Sequence, residues 1–206
     1  MKLDVNPTRM ELLRLRKRTV LAKRGHKLLK DKQDELMQKL LALVKVVKDL
    51  RERVERELEE TIKRFLFARS AMEPEFLEEA LLLPKKEVSI ELEKRRLLNV
   101  EVPVFKESVK GKIYCYGFAT TSCELDASLL ALDKVLESLI ELAEKEKTLE
   151  LIALEIEKTR RRVNALEYIL IPALEETLRY ITMKLAEIER GNLSRLMRIK
   201  DIVRAH

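Results

Sequence analysis

Basic side chains near the two ends of the chain are the residues whose spacing points most clearly to chemistry. Close to the start they recur at intervals of 7, 7 and 4 residues, as Arg9, Arg16, Lys23 and Lys27. Such intervals place side chains on one stripe of an α-helix. A second basic group lies near the end, as Arg195, Arg198 and Lys200. Either group can bind an acidic or polar surface, or can be an ordinary solvated face.

Charge is distributed unevenly along the chain. The net charge is +6, yet residues 1–32 alone contain 11 Lys or Arg and 3 Asp or Glu. Residues 190–206 contain 5 Lys or Arg and 1 Asp or Glu, so the remaining sequence is net acidic. Met10, Leu21 and Leu28 lie about a third of a turn from the first basic stripe. We expect these three residues to form the packing side of that helix.

Residue patterns typical of catalysis are absent from the sequence. There is no Gly-rich phosphate loop, no Gly-x-Ser-x-Gly motif and no paired His/Cys cluster. His26 lies within the basic segment, and His206 is the last residue. Cys115 and Cys123 stand eight apart without a second Cys pair, so we expect reduced thiols packed as small apolar groups and no zinc. We therefore predict no catalytic residue, cofactor or metal.

Two long segments, roughly 8–72 and 124–204, have the apolar periodicity of helices. In the first, apolar residues step by 4, 3, 4, 3 and 4, as Leu36, Leu40, Leu43, Val47, Leu50 and Val54. In the second, similar steps connect Leu125, Leu129, Leu132, Leu136 and Leu139, and again Val163, Leu166, Leu170, Leu174, Leu178, Ile181, Leu185 and Ile188. These are seams of a left-handed coiled coil. Glu146 occupies a seam position, where we expect loose or wet packing.

The simplest partner for each long helix is the other one. Pairing within one chain makes them antiparallel and brings the two basic ends together. We therefore predict an all-α fold, a long antiparallel two-helix coiled coil with a small inserted middle segment. The predicted divisions are 1–73, 74–123 and 124–206. Asn6 is expected to cap the first helix with Pro7 at its first position, and Pro172 is expected to kink the second arm.

The middle segment has a different character. A short helix is expected over Glu75–Leu83, followed by a β-hairpin with strands Leu98–Phe105 and Ile113–Phe118. Three aromatic residues of the second strand need cover, because an isolated hairpin is only marginally stable. These residues are Tyr114, Tyr116 and Phe118. They either pack on the long helices or dock a partner protein.

Several motifs together carry a family resemblance over nearly the whole chain. They are Asn6-Pro7-Thr8-Arg9 with the basic residues that follow, Val100-Glu101-Val102-Pro103, and Arg161-Arg162-Val163-Asn164-Ala165-Leu166-Glu167-Tyr168 running into Ile171-Pro172. In this order and spacing they resemble the D subunit of the A-type and V-type rotary ATPases, which is the central-stalk shaft.

The resemblance implies a non-catalytic shaft whose termini enter a hexamer of A and B subunits. Its lower part would bind the F subunit of the central stalk and the funnel-like subunit on the membrane ring. Rotation of the shaft would couple ATP synthesis or hydrolysis to transport of H⁺ or Na⁺. The basic residues near both ends of the chain would contact the hexamer, because electrostatic contacts guide a rotor without locking it.

Two other functions remain open on the residues alone. A basic coiled coil can bind nucleic acid, although no aromatic residues are interleaved with the basic ones. A structural tether is the third possibility. No apolar run of 18 residues or secretory signal is present, so we expect a cytoplasmic protein without membrane insertion. The resemblance implies that it is a peripheral part of a membrane-bound complex and does not bind nucleic acid.

Overall fold

The computed structural model describes residues 4–117 and 121–205. Its elements in chain order are α1 (Arg9–Ser70), α2 (Pro74–Leu81), β1 (Glu87–Leu97), β2 (Val100–Lys110), α3 (Cys123–Asn164), a π-helical turn (Ala165–Leu170) and α4 (Ile171–Ala205). Long antiparallel helices with an inserted short helix and hairpin confirm the predicted fold class. The three divisions predicted along the sequence stay a prediction.

The chain forms two compact units. Unit 1 comprises Met1–Glu35 and Ile156–His206, and unit 2 comprises Leu36–Glu155. Each unit therefore combines part of α1 with part of the second predicted arm. Both basic groups belong to unit 1. Among the described residues, no helix has a stretch long and apolar enough to cross a bilayer.

Helix α1 begins two residues later than predicted. Neither Asn6 nor Pro7 is helical, and Thr8 is the residue that caps the helix. The N–H of Glu11 donates to Thr8 Oγ1 at 3.2 Å, and the N–H of Thr8 donates to the Asn6 carbonyl at 2.9 Å. The prediction of Asn6 as the cap was wrong because Thr8 and Glu11 have the spacing of a capping box.

Unit 1 is held by a narrow seam between α1 and α4. Leu15, Leu174 and Ile181 form its buried centre. Buried threonines on both helices satisfy their hydroxyls internally: Thr19 donates to the Leu15 carbonyl at 2.9 Å. The polar groups thus stay paired within an apolar interface.

The packing side of α1 differs from the predicted one. Met10 is 78% exposed, and Leu21 and Leu28 are exposed as well. The side chains that face inward follow regular steps of three and four: Leu12, Leu15, Thr19, Ala22, His26, Leu29 and Gln33. This seam continues into the predicted one at Leu36. It was missed because small and polar residues occupy several of its positions.

Unit 2 has two centres of packing. On α1, Leu36, Leu50 and Val54 are buried as predicted. Glu146, which occupies a position of the predicted apolar seam, is half-buried and accepts a hydrogen bond from Arg51 at 2.6 Å. A second cluster buries residues of α1, α2 and α3 together, namely Ala68, Leu77, Ala80 and Leu125. Helix α2 is thereby fastened to both long helices.

The hairpin exists, and residues 100–105 of the first predicted strand lie in β2, but the strand that pairs with them is β1 and not the predicted second strand. β1 and β2 pair antiparallel from Glu87 with Lys110 to Leu97 with Val100. Leu98 and Asn99 form the turn with φ values of 48° and 69°, the left-handed conformations that a two-residue hairpin loop requires. β1 was missed because its alternating Val, Ile and Leu stand among many charged residues. Residues 113–117 form no strand.

Gly111 ends the hairpin for a steric reason. Its φ is +95°, and a Cβ there would lie 2.0 Å from the carbonyl oxygen of Lys85. The chain leaving β2 thus passes against the backbone that enters β1. Only glycine accommodates both the dihedral angle and the close approach.

Candidate interaction surfaces

Two residues of the predicted basic stripe form ion pairs across unit 1. Lys23 Nζ lies 2.6 Å from Glu175 Oε1, and Arg9 pairs with Glu189. The steps match: 14 residues forward along α1 correspond to 14 residues back along α4. The hydrogen bond from Lys23, and then its charge, lower the pKa of the Glu175 carboxyl. Arg9 and Lys23 therefore help to set the antiparallel register.

The other predicted basic residues point to solvent. Arg16 and Lys27 on α1 are exposed, as are Arg195, Arg198 and Lys200 on α4. Within residues 4–117 and 121–205, none of these five forms an ion pair. Unit 1 therefore carries charges that remain available to an acidic partner surface.

An apolar feature accompanies the basic end of α4. Every residue from 186 to 204 is exposed, although several are large and apolar: Leu193, Leu196, Met197, Ile199, Ile202 and Val203. Val203 is 69% exposed. An amphipathic helix that leaves such a stripe uncovered typically serves as a binding element. Sequence reasoning missed this stripe because it weighed only the basic residues of the segment, although the apolar steps of three were visible.

The predicted docking aromatics are placed differently from one another. Tyr116 is half-buried against the cluster of α1, α2 and α3, and its hydroxyl donates to Asp126. Burial, then this hydrogen bond and the charge of Asp126, raise the pKa of Tyr116. Tyr114 is 40% exposed. Phe118 lies outside the described residues.

A second set of exposed apolar residues lies near the end of α1 and in or just after α2, all in unit 2. Leu82 and Leu83, which follow α2, are 74% and 75% exposed, and Phe67 in the last turns of α1 is 67% exposed. Phe76 and Leu66 are exposed as well. We call Leu66, Phe67, Phe76, Leu82 and Leu83 the apolar end patch. It was not predicted, because the consecutive leucines were interpreted only as the end of the short helix expected over Glu75–Leu83.

Neither cysteine forms a disulfide. Cys115 is half-buried and lines a cavity of about 220 Å³ beside Lys86 and Asp133, which form an ion pair. Cys123 is the exposed first residue of α3, so the expectation that it packs as a small apolar group was wrong. Across the described part of the chain, His, Cys, Asp and Glu side chains form no group of three suited to a metal.

The predicted kink residue follows the π-helical turn directly. Pro172 is the second residue of α4, and the turn ends at Leu170. In a regular α-helix the ring of Pro172 would clash with the carbonyl of Tyr168. In a π turn the hydrogen bonds run five residues back, so the regular α-helical geometry that produces this clash does not apply there. A bend at Pro172 itself stays a prediction.

Comparison with known proteins agrees with these features. Residues 11–201 match the family model described as the ATP synthase D subunit. The V-type ATP synthase D subunit of Clostridium botulinum (strain Langeland) is 55% identical over 208 residues, which cover 98% of this chain and 96% of that protein. The corresponding protein of Acetivibrio thermocellus is 56% identical over 203 residues, covering 97% and 91%. That of Clostridium novyi is 52% identical over 207 residues, covering 98% and 96%. The chain therefore belongs to the ATP synthase D-subunit family.

Proposed function

We propose that this chain is the central rotor shaft of an A/V-type ATP synthase or ATPase. It couples ATP synthesis or hydrolysis in the A/B hexamer to rotation of the membrane ring and transport of H⁺ or Na⁺. The observation that carries the proposal is the family membership of a chain built mainly from paired long helices. The chain itself performs no catalysis and is a peripheral, cytoplasmic part of the complex.

The basic residues of unit 1 are the proposed contacts with the hexamer. Arg16, Lys27, Arg195, Arg198 and Lys200 are exposed and fit an acidic inner surface. Arg9 and Lys23 belong to the same proposed set, and their ion pairs with α4 also favour the antiparallel register of the two helices. Electrostatic contacts at an exposed surface are individually weak. A rotor benefits from that weakness, because every contact must be released at each step.

Unit 2 supplies the proposed docking regions for the F subunit and the funnel-like subunit of the membrane ring. The exposed residues of the apolar end patch support this role, since obligate interfaces bury large apolar side chains. Tyr114, Tyr116 and Phe118 remain in the proposed docking set. The contacts of Tyr116 with the cluster of unit 2 make it a support for that surface rather than a side chain presented to a partner.

Coexpression tests the proposal directly. The tagged full-length chain is produced with the A, B and F subunits of its own organism, purified, and its partners are identified by mass spectrometry. We expect an A/B/D/F complex that hydrolyses ATP, with the chain rotating inside a surface-fixed hexamer. Recovery of neither A/B nor F would contradict the proposal. Salt-dependent binding of the isolated chain to duplex DNA would support the nucleic-acid alternative instead.

A further inference from the structure

The apolar spacing of the second arm contains one residue more than a strict heptad allows. Val163, Leu166 and Leu170 follow the expected steps of three and four. A strict heptad would continue through positions 173, 177, 180 and 184, occupied by Ala, Thr, Tyr and Lys. The large aliphatic side chains stand one residue later, at Leu174, Leu178, Ile181 and Leu185. The apolar register therefore advances by one residue after Leu170.

The π turn lies where this extra residue must be accommodated. The N–H of Ile171 donates to the carbonyl of Leu166, five residues back instead of four. Asn164 (φ −60°, ψ −42°) and Ile171 (φ −63°, ψ −49°) have ordinary helical dihedrals, so the irregularity is confined to the turn. One residue of α-helix corresponds to a rotation of about 100°. By absorbing that rotation, the turn allows both Val163 and Leu174 to be buried.

The turn is held by few interactions. Pro172 has no N–H, so the five-residue hydrogen-bond pattern cannot continue to the carbonyl of Glu167. On the outer side, Tyr168 is 71% and Ile169 62% exposed. His26 of α1 contacts the turn through Glu167, with 3.3 Å between Nε2 and Oε2. Segments with few buried contacts and incomplete backbone hydrogen bonding open at low free energy.

We propose that the π turn is a torsional hinge, which lets α4 twist about its own axis while residues 156–164 stay packed. In the twisted state the interface would be formed by the strict-heptad positions, such as Ala173 and Thr177. Both side chains are buried in the present structure, so both can be accommodated in an interface. The Thr177 hydroxyl donates to the Ala173 carbonyl at 2.7 Å, so this donor is satisfied within its own helix. Leu174 and Ile181 are completely buried. Their packing keeps the twisted state a minor one in the free chain.

This inference rests on the proposed function for its purpose, because a torsional hinge is useful in a chain that transmits torque. The ion pairs across unit 1 oppose twisting only weakly. Lys23 and Glu175 are 58% and 41% exposed, and Arg9 and Glu189 are 80% and 55% exposed. Exposed pairs of this kind exchange readily for contacts with water.

Pulsed electron spin resonance on the full-length chain tests the hinge. Spin labels are attached at Lys158→Cys and Lys184→Cys, two exposed positions, after Cys115→Ser and Cys123→Ser. We expect a main distance with a second, minor population. A variant that lacks Ile169 and carries Pro172→Ala has no extra residue and no proline, so a regular α-helix satisfies the same seam. It should show a single, narrower distribution. Identical narrow distributions in both proteins would overturn the proposal.

Hydrogen exchange of the unaltered chain provides a second measurement that does not depend on the variant. Amides of residues 165–171 should exchange about tenfold faster than those of residues 156–164, which corresponds to about 1.4 kcal/mol of local opening. Equal rates would also overturn the hinge. The control for the variant that lacks Ile169 is a deletion of Arg160, an exposed residue in the regular part of α3. This deletion should shift the apolar seam out of register and lower Tm. Failure of the unaltered chain to bind A, B and F would contradict the proposed function but would leave these intrachain measurements to decide the hinge.

Discussion

At the scale of single residues, the most informative side chains are those whose partners lie far away in sequence. Lys23 was predicted from spacing alone as part of a contact stripe, yet its Nζ meets Glu175 on the opposite helix. Tyr116 was predicted as a docking residue, yet its hydroxyl meets Asp126. Spacing shows which side chains share a helix face, but a tertiary partner decides what each of them does.

Neutralising Lys23 should produce a pH-dependent loss of stability. The pair holds the Glu175 pKa below its ordinary value of 4.5, so its contribution is present above pH 4.5 and is lost as pH falls through the lowered pKa. Lys23→Gln should therefore lower Tm at pH 7, and the difference from the unaltered chain should close toward pH 3. Thermal melts across this range measure it. Arg16→Gln is the control, because it removes an exposed charge that has no ion pair among the described residues. An equal loss there would contradict the assignment.

Tyr116→Phe should change how the stability of the folded chain depends on pH between pH 9 and 11. The raised pKa means that the folded chain keeps the phenol proton longer than the unfolded chain. The stabilisation is complete below the unfolded pKa of about 10 and is lost as pH rises above it. We expect Tyr116→Phe to cost about 1 kcal/mol at pH 7 through the lost hydrogen bond. Its Tm should then fall less than that of the unaltered chain between pH 9 and 11. Exposed Tyr168→Phe should change neither quantity.

At the scale of elements, the long helices were predicted and their irregularities were missed. Periodicity indicated the seam from Leu36 onward, but its continuation through Thr19, Ala22 and His26 lacked the apolar signal. The three consecutive steps of four from Leu166 to Leu178 did signal the π turn, and we interpreted them only as part of a seam. β1 was hidden by its charged residues. For the seam of α1 and for β1, the missing information was which neighbouring element would cover a weakly apolar face.

Glycine substitutions should separate an element that needs glycine from one that merely contains it. Gly111→Ala must relieve a 2.0 Å contact with the Lys85 carbonyl at a φ of +95°, and we expect a loss of about 1–3 kcal/mol. Gly25 lies within α1 with open space around its Cβ position. Gly25→Ala should stabilise the chain by about 0.5–1 kcal/mol. Chemical denaturation measures both, and similar effects of the two substitutions would contradict the close approach at Gly111.

At the scale of the whole molecule, charge and exposed apolar surface divide between the two compact units. Unit 1 contains both basic chain ends and the uncovered apolar stripe of α4, and unit 2 contains the apolar end patch. This division matches the proposed function, in which one part of the chain meets the hexamer and another meets the remaining stalk. The position of the basic residues in this arrangement was predicted from the sequence. The exposed apolar stripe of α4 and the apolar end patch could be identified only in the structure, because burial decides which apolar side chains remain exposed.

Reversing charge in unit 1 should weaken binding to the hexamer without unfolding the chain. Arg16→Glu with Lys27→Glu and Arg198→Glu changes only exposed residues without ion pairs, so the stability of the free chain should change by less than about 0.5 kcal/mol for each substitution. Affinity for the A/B hexamer should fall at least about tenfold at low salt, with a smaller difference at high salt because screening weakens exposed contacts. The matched control is Lys45→Glu with Arg53→Glu and Arg64→Glu, three exposed cations of α1 in unit 2. Equal losses in the two variants would show that total charge, and not the basic surface of unit 1, governs binding.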